Sequence, residues 1–487
     1  MFDPTAMDAI HLEHHLMHTF KHTEDLTIQT LQGQQCKIYV AYFDTLADKK
    51  KLHRYVFEAL MPVVAGQQDI AITSTLHFKI MQESEDLQDL LLTGSCLIQI
   101  EGERQIYAVD VSIEPPRSVE EPENEKVIQG SHEGFVEELR RNVYLIRKTL
   151  KTKDLVVKYM KIGDSVQSEL CLIYMPDRAE LQVIGEIEQR ILTAKTNGLR
   201  SAGDLEQLIE DSTMSPFPQM LNTERVDRVI ALLKQGKVIL FVEGSPTCLV
   251  APVNFNDFMR ASDDYNSRWM TSIFISGLRW LSILVAIFLP AFYIAVVAFH
   301  FEVLPDELVM PIKTSINEIP FPPLIEAFIM ELTIELIREA GLRLPARIGA
   351  TVSIVGGLVI GDAIVKAGFI STTMIIVVAI TAIAAFCIPT HEMSETVRLL
   401  RFPFMLLAAC LGFVGMSFGI ILILGHLCQL ESFGSPYFVL FTLEELKKQV
   451  RVFLFGRSNP STRQTRLQRI QQQINTKGWN FLVRKKR

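Results

Sequence analysis

Glu331, Glu335 and Glu339 repeat every four residues inside a mostly apolar stretch of this 487-residue sequence. On a helix that spacing gathers them on one face. Leu324, Phe328, Leu332, Ile334 and Leu336 supply the apolar surface around them. Carboxylates at membrane depth are costly and turn toward a cavity or a partner. In a symmetric oligomer the stripe would become stacked carboxylate rings that attract cations. The alternative is local pairing, Glu335 with Arg338 and Glu339 with Arg343. A second group follows in Val355-Gly-Gly-Leu-Val-Ile-Gly361-Asp362. Gly357 and Gly361 form a G-x-x-x-G pair that permits close helix approach, and Gly415 and Gly419 repeat it. Packing is one role for these glycines. A pore wall is the other: the small Gly356 and Gly357 would leave room, Val355 or Val359 would form an apolar constriction, Asp362 would provide a polar ring, and Glu331 and Glu335 would stand at a vestibule. Asp362 and Lys366, four apart, can also neutralise each other.

Other chemistry is sparse. His11, His15, His18 and His22 fall on one helical face, a spacing able to bind a metal. The alternative is a solvated terminal helix. No phosphate-binding, dinucleotide-binding, zinc-protease or nucleophile-elbow motif occurs. The expectation is therefore a non-enzyme with no cofactor, no metal and no nucleic-acid partner. Seven scattered cysteines without a C-x-x-C pair read as free thiols in a reducing compartment.

The elements that must hold these residues are segregated along the chain. Charges recur every few residues up to about Tyr265, and long apolar runs dominate from Trp280 to Leu427. The expected fold is an α+β and α-helical membrane protein. Residues 1–115 form one mixed α/β domain, 116–127 an acidic, proline-rich linker, and 128–265 a second α/β domain. Residues 270–440 form a transmembrane domain and 441–487 a basic cytoplasmic tail. In the soluble part, strands are predicted at 36–43, 96–100, 105–111, 155–162, 169–175, 238–242 and 247–250. Helices are predicted at 50–60, 84–92, 134–149, 179–192 and 225–233.

Four spans meet the length test, at 281–299, 348–369, 372–389 and 402–427. Residues 1–20 lack an apolar signal-peptide core, so the soluble region is expected to stay in the cytoplasm. Arg260, Arg268 and Arg279 before the first span, and Glu302, Asp306 and Glu307 after it, agree with that orientation. Four spans return a tail of about +10 to the cytoplasm. Counting 324–344 as a fifth would export that tail, so the segment is predicted to be re-entrant or interfacial. Arg398 and Arg401 would then lie outside, against the rule. The tail can meet anionic lipid headgroups.

Several stretches together resemble the A subunits of bacterial spore nutrient-germinant receptors of the GerA type. They are Ser215-Pro-Phe-Pro-Gln219, Asn222-Thr-Glu-Arg225, Asp263-Asp-Tyr265 with Arg268-Trp269, Pro320-Phe-Pro-Pro323 and Glu326-Ala327. The match continues through Glu331-Leu-Thr-Ile-Glu-Leu336, Arg338 to Pro345, Val355-Gly-Gly357, Val359-Ile-Gly361 and Ser432-Phe-Gly-Ser-Pro-Tyr437. It covers roughly residues 130–438. Val226 departs from the pattern, where the family commonly has proline. The resemblance implies a multi-pass subunit of the spore inner membrane that works with a transporter-like B subunit and a lipoprotein C subunit. It implies an oligomeric, ion-conducting component with its N-terminal domains in the cytoplasm. The alternative it leaves is a non-conducting scaffold or accessory germination protein associated with dipicolinate-release channels.

Overall fold

The computed structural model describes residues 9–438 except 34–36, 66–77, 81–85, 102–104, a broken stretch within 115–129, 164–165, 195, 318, 344–362 and 364–365. The soluble region is built on two five-stranded antiparallel sheets. The first contains β1 (Leu26–Gln32), β2 (Lys37–Phe43), β3 (Phe78–Ile80), β4 (Ser95–Ile100) and β5 (Ile106–Asp110), in the order β1-β2-β4-β5-β3. The second contains β6 (Val156–Ile162), β7 (Ser168–Tyr174), β8 (Leu221–Thr223), β9 (Val238–Val242) and β10 (Cys248–Ala251), in the order β6-β7-β9-β10-β8. The two orders are the same. A helix precedes each sheet, and helices follow the first hairpin and precede the last one in each.

The local sequence explains the inner strands. Lys-Ile-Tyr-Val-Ala-Tyr-Phe in β2 and Val-Ile-Leu-Phe-Val in β9 are β-branched or aromatic almost throughout. Both are buried on both faces, so neither alternates in polarity. In the first unit α1 (Ala9–Thr19), α2 (Lys49–Leu52), a π-helical turn (His53–Phe57), α3 (Glu58–Val64) and α4 (Leu87–Leu92) accompany the sheet. Gly94 ends α4 with φ +91°, and a Cβ there would lie 2.9 Å from the Ser112 Cβ. In the second unit the helices are α5 (Leu139–Thr149), α6 (Leu181–Thr193), α7 (Ala202–Ile209) and α8 (Val226–Leu233).

The chain start is not a loose solvated helix. α1 buries Leu12 and Leu16, and Phe20 just beyond it packs edge-on to Phe43. Next to it the two units are joined by a buried ion pair. Arg147 of α5 donates to Asp25 at 2.8 and 2.9 Å, both side chains are fully buried, and the guanidinium also lies over the Phe43 ring. Thr23 bonds Asp25, Arg147 and the Val157 amide, so every partner of the pair is hydrogen-bonded.

Two short helices, α9 (Phe255–Phe258) and α10 (Asp263–Asn266), lead to the bundle. It comprises α11 (Trp269–Phe299), α12 (Asp306–Asn317), α13 (Pro323–Arg343), α14 (Thr372–Phe386) and α15 (His391–Gln429). Among the described residues two helices are long and apolar enough to cross a membrane, Met270–Phe299 and His391–Gln429. The apolar helix Thr372–Phe386 is shorter than the span expected at 372–389. Most of the span expected at 348–369, and the whole tail 441–487, lie outside the described residues.

Two expectations meet the structure here. Most of the segment expected at 324–344 lies in a continuous 21-residue helix, α13 (Pro323–Arg343), packed against α11, α14 and α15. The run 402–427 is not one span. Gly412 in α15 has φ 60° and ψ −136°, a region open to glycine and strained for other residues. Beyond it a Cβ on Gly415 would collide with the Leu407 carbonyl, and one on Gly419 would lie 2.7 Å from the Phe404 ring. Residues 404 and 419 would stand about 22 Å apart in a straight helix. The chain therefore reverses at Gly412 and forms a hairpin of two helical arms. Its tip rests on His300 at the end of α11.

Candidate functional site

The charged side chains of the bundle meet near the base of the hairpin's first arm. Both ends of the hairpin lie at the soluble region. On the first arm Thr396 donates to the Pro216 carbonyl at 2.5 Å, and on the second His426 shares a 2.9 Å hydrogen bond with Ser215. Arg398 and Arg401 follow Thr396 within two turns. They therefore lie near the end of the bundle that meets the α/β units.

There they meet the acidic face of α13. Glu331, 0% exposed, forms an ion pair with Arg401, 2% exposed, whose Nε also donates to the Ala286 carbonyl at 2.9 Å. One turn on, Glu335 accepts from Arg398 at 2.7 Å and from Arg338 at 3.5 Å. Arg338 in turn lies 4.7 Å over the Phe386 ring of α14. Toward the other end of α13 the Glu326 carboxylate, 1% exposed, accepts from the Ser371 amide at the start of α14. Ser371 also shares a 3.4 Å contact with the Tyr293 hydroxyl. Glu326, Glu331, Glu335 and Arg338 thus form a ladder along one helix.

Four buried atoms of the ladder have no protein partner among the described residues: Glu326 Oε2, Glu331 Oε1, Arg338 Nε and Arg401 Nη2. The arrangement holds paired charges inside an apolar bundle. Glu339 pairs with Arg343 at 2.5 Å in an exposed position, so both local pairs anticipated from spacing form. The interhelical partners Arg398 and Arg401 were missed. The available signal was two arginines three apart in an apolar run, matching acids four apart on α13.

The remaining candidate residues are dispersed. Val355, Gly356, Gly357, Val359, Gly361 and Asp362 lie outside the described residues. Gly415 and Gly419 sit on the second arm where it presses on the first. His15 and His18 lie on α1, and His22 lies past its end in a left-handed turn. No cluster of metal-ligating side chains forms among the described residues.

Three of the stretches that carry the family resemblance, 215–219, 263–265 and 432–437, meet at the junction between the α/β units and the bundle. Phe217 packs with Phe255, Tyr437 and His426. Arg228 donates to the carbonyls of Asp257 and Arg260, and Arg279 of α11 bonds Asp264 at 2.5 Å. Past the bundle, a small hairpin of β11 (Glu431–Ser432) and β12 (Ser435–Pro436) returns to the soluble region. Ser432 bridges the Gln219 carbonyl and the Val253 amide, and the Phe255 amide donates to the Tyr437 carbonyl at 2.9 Å. Glu206 of α7 also faces this junction. Burial, then the carboxylates of Glu392 and Glu210, raise its pKa to about 8.

Comparison with known proteins agrees with these motifs. Residues 14–467 match the family model described as Bacillus/Clostridium GerA spore germination protein. Spore germination protein B1 of Bacillus subtilis is 37% identical over 83% of this chain and 85% of its own length. Spore germination protein A1 of the same species is 36% identical over 82% of this chain and 83% of its own length. The crystal structure of the N-terminal domain of the A subunit of the Bacillus megaterium spore germinant receptor GerK3 aligns over 50% of this chain and 94% of that chain, at 24% identity and TM-score 0.38. With a family model covering most of its length and relatives alike across four fifths of it, the chain belongs to the GerA family of spore germination proteins.

Proposed function

We propose that this chain is the ion-conducting A-type subunit of a nutrient-germinant receptor, oligomeric in the spore inner membrane. It would work beside a transporter-like B subunit and a lipoprotein C subunit, with residues 1–115 and 128–265 as cytoplasmic domains. The observation that carries the reading is the ladder of ionisable groups buried in an apolar bundle. Such groups are expensive in a bilayer and mark ion paths or switches. Several copies enclosing water would turn Val355, Gly356, Val359 and Asp362 into a constriction, with Glu331 and Glu335 at its mouth.

The same reading takes a six-crossing path. α11 leads away from the soluble region and α13 returns. At about 1.5 Å per residue α13 is about 31 Å long, the thickness of a bilayer core. The chain leaves α13 at Arg343, yet Ser371 sits beside Glu326 near its beginning. These two described ends lie at opposite ends of the bundle, and the reading counts one crossing between them. The two hairpin arms make the fifth and sixth crossings, and Tyr437 rejoins the soluble region. An even count keeps the basic tail on that side.

The test is cation release from spores carrying Val359→Ala or Asp362→Asn at parental protein level. A changed rate of nutrient-triggered release is expected in each, and parental rates in both would remove the pore assignment. The competing scaffold role is favoured by the pairing of Glu331, Glu335 and Glu339 within one protomer. Release that persists unchanged in a strain lacking the chain would fit that role instead.

A further inference from the structure

The first arm of the α15 hairpin touches two sites with one short stretch. At its base Thr396 is bonded to the Pro216 carbonyl in the loop 215–219. Arg398 and Arg401, two and five residues further on, grip Glu335 and Glu331 of α13. Five residues of helix span about 7.5 Å and move as one body. The same loop holds the second arm through Ser215 and His426, so it controls both ends of the hairpin. Phe217 anchors the loop in the aromatic cluster with Phe255 and Tyr437, and Gln219, fully buried, closes it onto Ser212.

We propose that the first arm is a latch: Arg398 and Arg401 hold the α13 carboxylates in the resting conformation, and the loop 215–219 releases them by shifting the arm through Thr396. This deepens the conduction reading and rests on it, because freed carboxylates would face the water-filled vestibule. The latch is strong at Glu331, where one partner alone would remain as a buried charge. It is adjustable at Glu335, whose carboxylate is shared by Arg398 and Arg338 and is partly open to solvent. Around Arg398 the charged neighbours are Glu335, Arg338 and Glu395, the last at 3.8 Å.

The two ends of the device predict opposite phenotypes. In spores carrying the assembled receptor, Arg398→Gln weakens the grip. Potassium release without nutrient should rise about 5-fold or more, the scale of a typical coupling between sites. Arg398→Lys should restore release to near the parental rate. Thr396→Val removes the hydroxyl at constant shape. It should leave unstimulated release alone and slow the response to a mixture of L-alanine, D-glucose and inosine by a similar factor. A merely structural role would lower receptor level and both rates together. At parental receptor level, Arg398→Gln releasing no faster than the parent, or Thr396→Val responding at the parental rate, overturns the latch. A deletion strain separates this from the parent reading. If deletion leaves nutrient-triggered release intact, the receptor assignment fails. If deletion abolishes it while the point variants behave as the parent, the latch alone fails.

Discussion

Glu206 shows how one side chain reports on the junction. Its carboxyl is held protonated by burial and by the facing carboxylates of Glu392 and Glu210. A folded-state pKa raised above the unfolded value means the folded form prefers the proton. Its contribution to stability is complete below the ordinary carboxylate range and is lost as pH rises through about 8. Thermal unfolding of the detergent-solubilised full chain should therefore show a lower Tm at pH 9 than at pH 5. Glu206→Gln should narrow that difference, and an equal pH dependence in parent and variant would refute the assignment. The other buried charges behave differently. Arg147 and Asp25, like Arg401 and Glu331, are matched across elements, and removing one partner of such a pair costs about 3–5 kcal/mol. Sequence spacing exposed the pairs three or four residues apart, Glu335 with Arg338 and Glu339 with Arg343. It did not pair Arg398 or Arg401 with α13, because their partners lie more than 60 residues away and meet them only where the arm preceding the reversal at Gly412 packs on that helix.

At the level of elements, that reversal is the feature hardest to read beforehand. A soluble hairpin betrays itself by a polar turn. Here Cys410-Leu-Gly-Phe-Val414 stays apolar through the bend, because a glycine in an unusual backbone region completes it without a loop. Hydropathy therefore merges the two arms into one span. Gly412→Ala should cost about 1–3 kcal/mol, from backbone strain and from the His300 ring 2.8 Å from the new Cβ. The measurement is receptor level and Tm in membranes, and an unchanged Tm would mean the arms can separate freely. α13 was obscured for a different reason. Its acidic face resembles a surface helix until arginines from α15 neutralise it. Strands with dense β-branched content were legible, as at β9, expected and found at 238–242. β1, Leu-Thr-Ile-Gln-Thr-Leu-Gln, escaped because glutamine and threonine interrupt its apolar residues.

For the whole molecule, the equal strand order of the two sheets indicates that one α/β unit occurs twice, although no repeat stands out in the sequence. The buried Arg147–Asp25 contact ties the two units together. On the proposed six-crossing path, α12 and the β11–β12 hairpin would lie on opposite sides of the membrane. In a cysteine-free background, Glu307→Cys on α12 and Glu431→Cys on β11, both exposed, test this with a membrane-impermeant maleimide. Opposite-side labelling is expected, and same-side labelling would break the topology.

The return of Tyr437 to Phe255 has a consequence for biogenesis. The aromatic seat formed by Phe217, Phe255 and Phe258 needs a residue that leaves the ribosome only after every helix of the bundle has been made. The α/β half can gain its sheets early, yet its surface toward the bundle stays unfinished until translation is nearly over. Closure of that surface is then a checkpoint, because nascent chains that stop short of it expose an apolar patch for quality-control proteases to find.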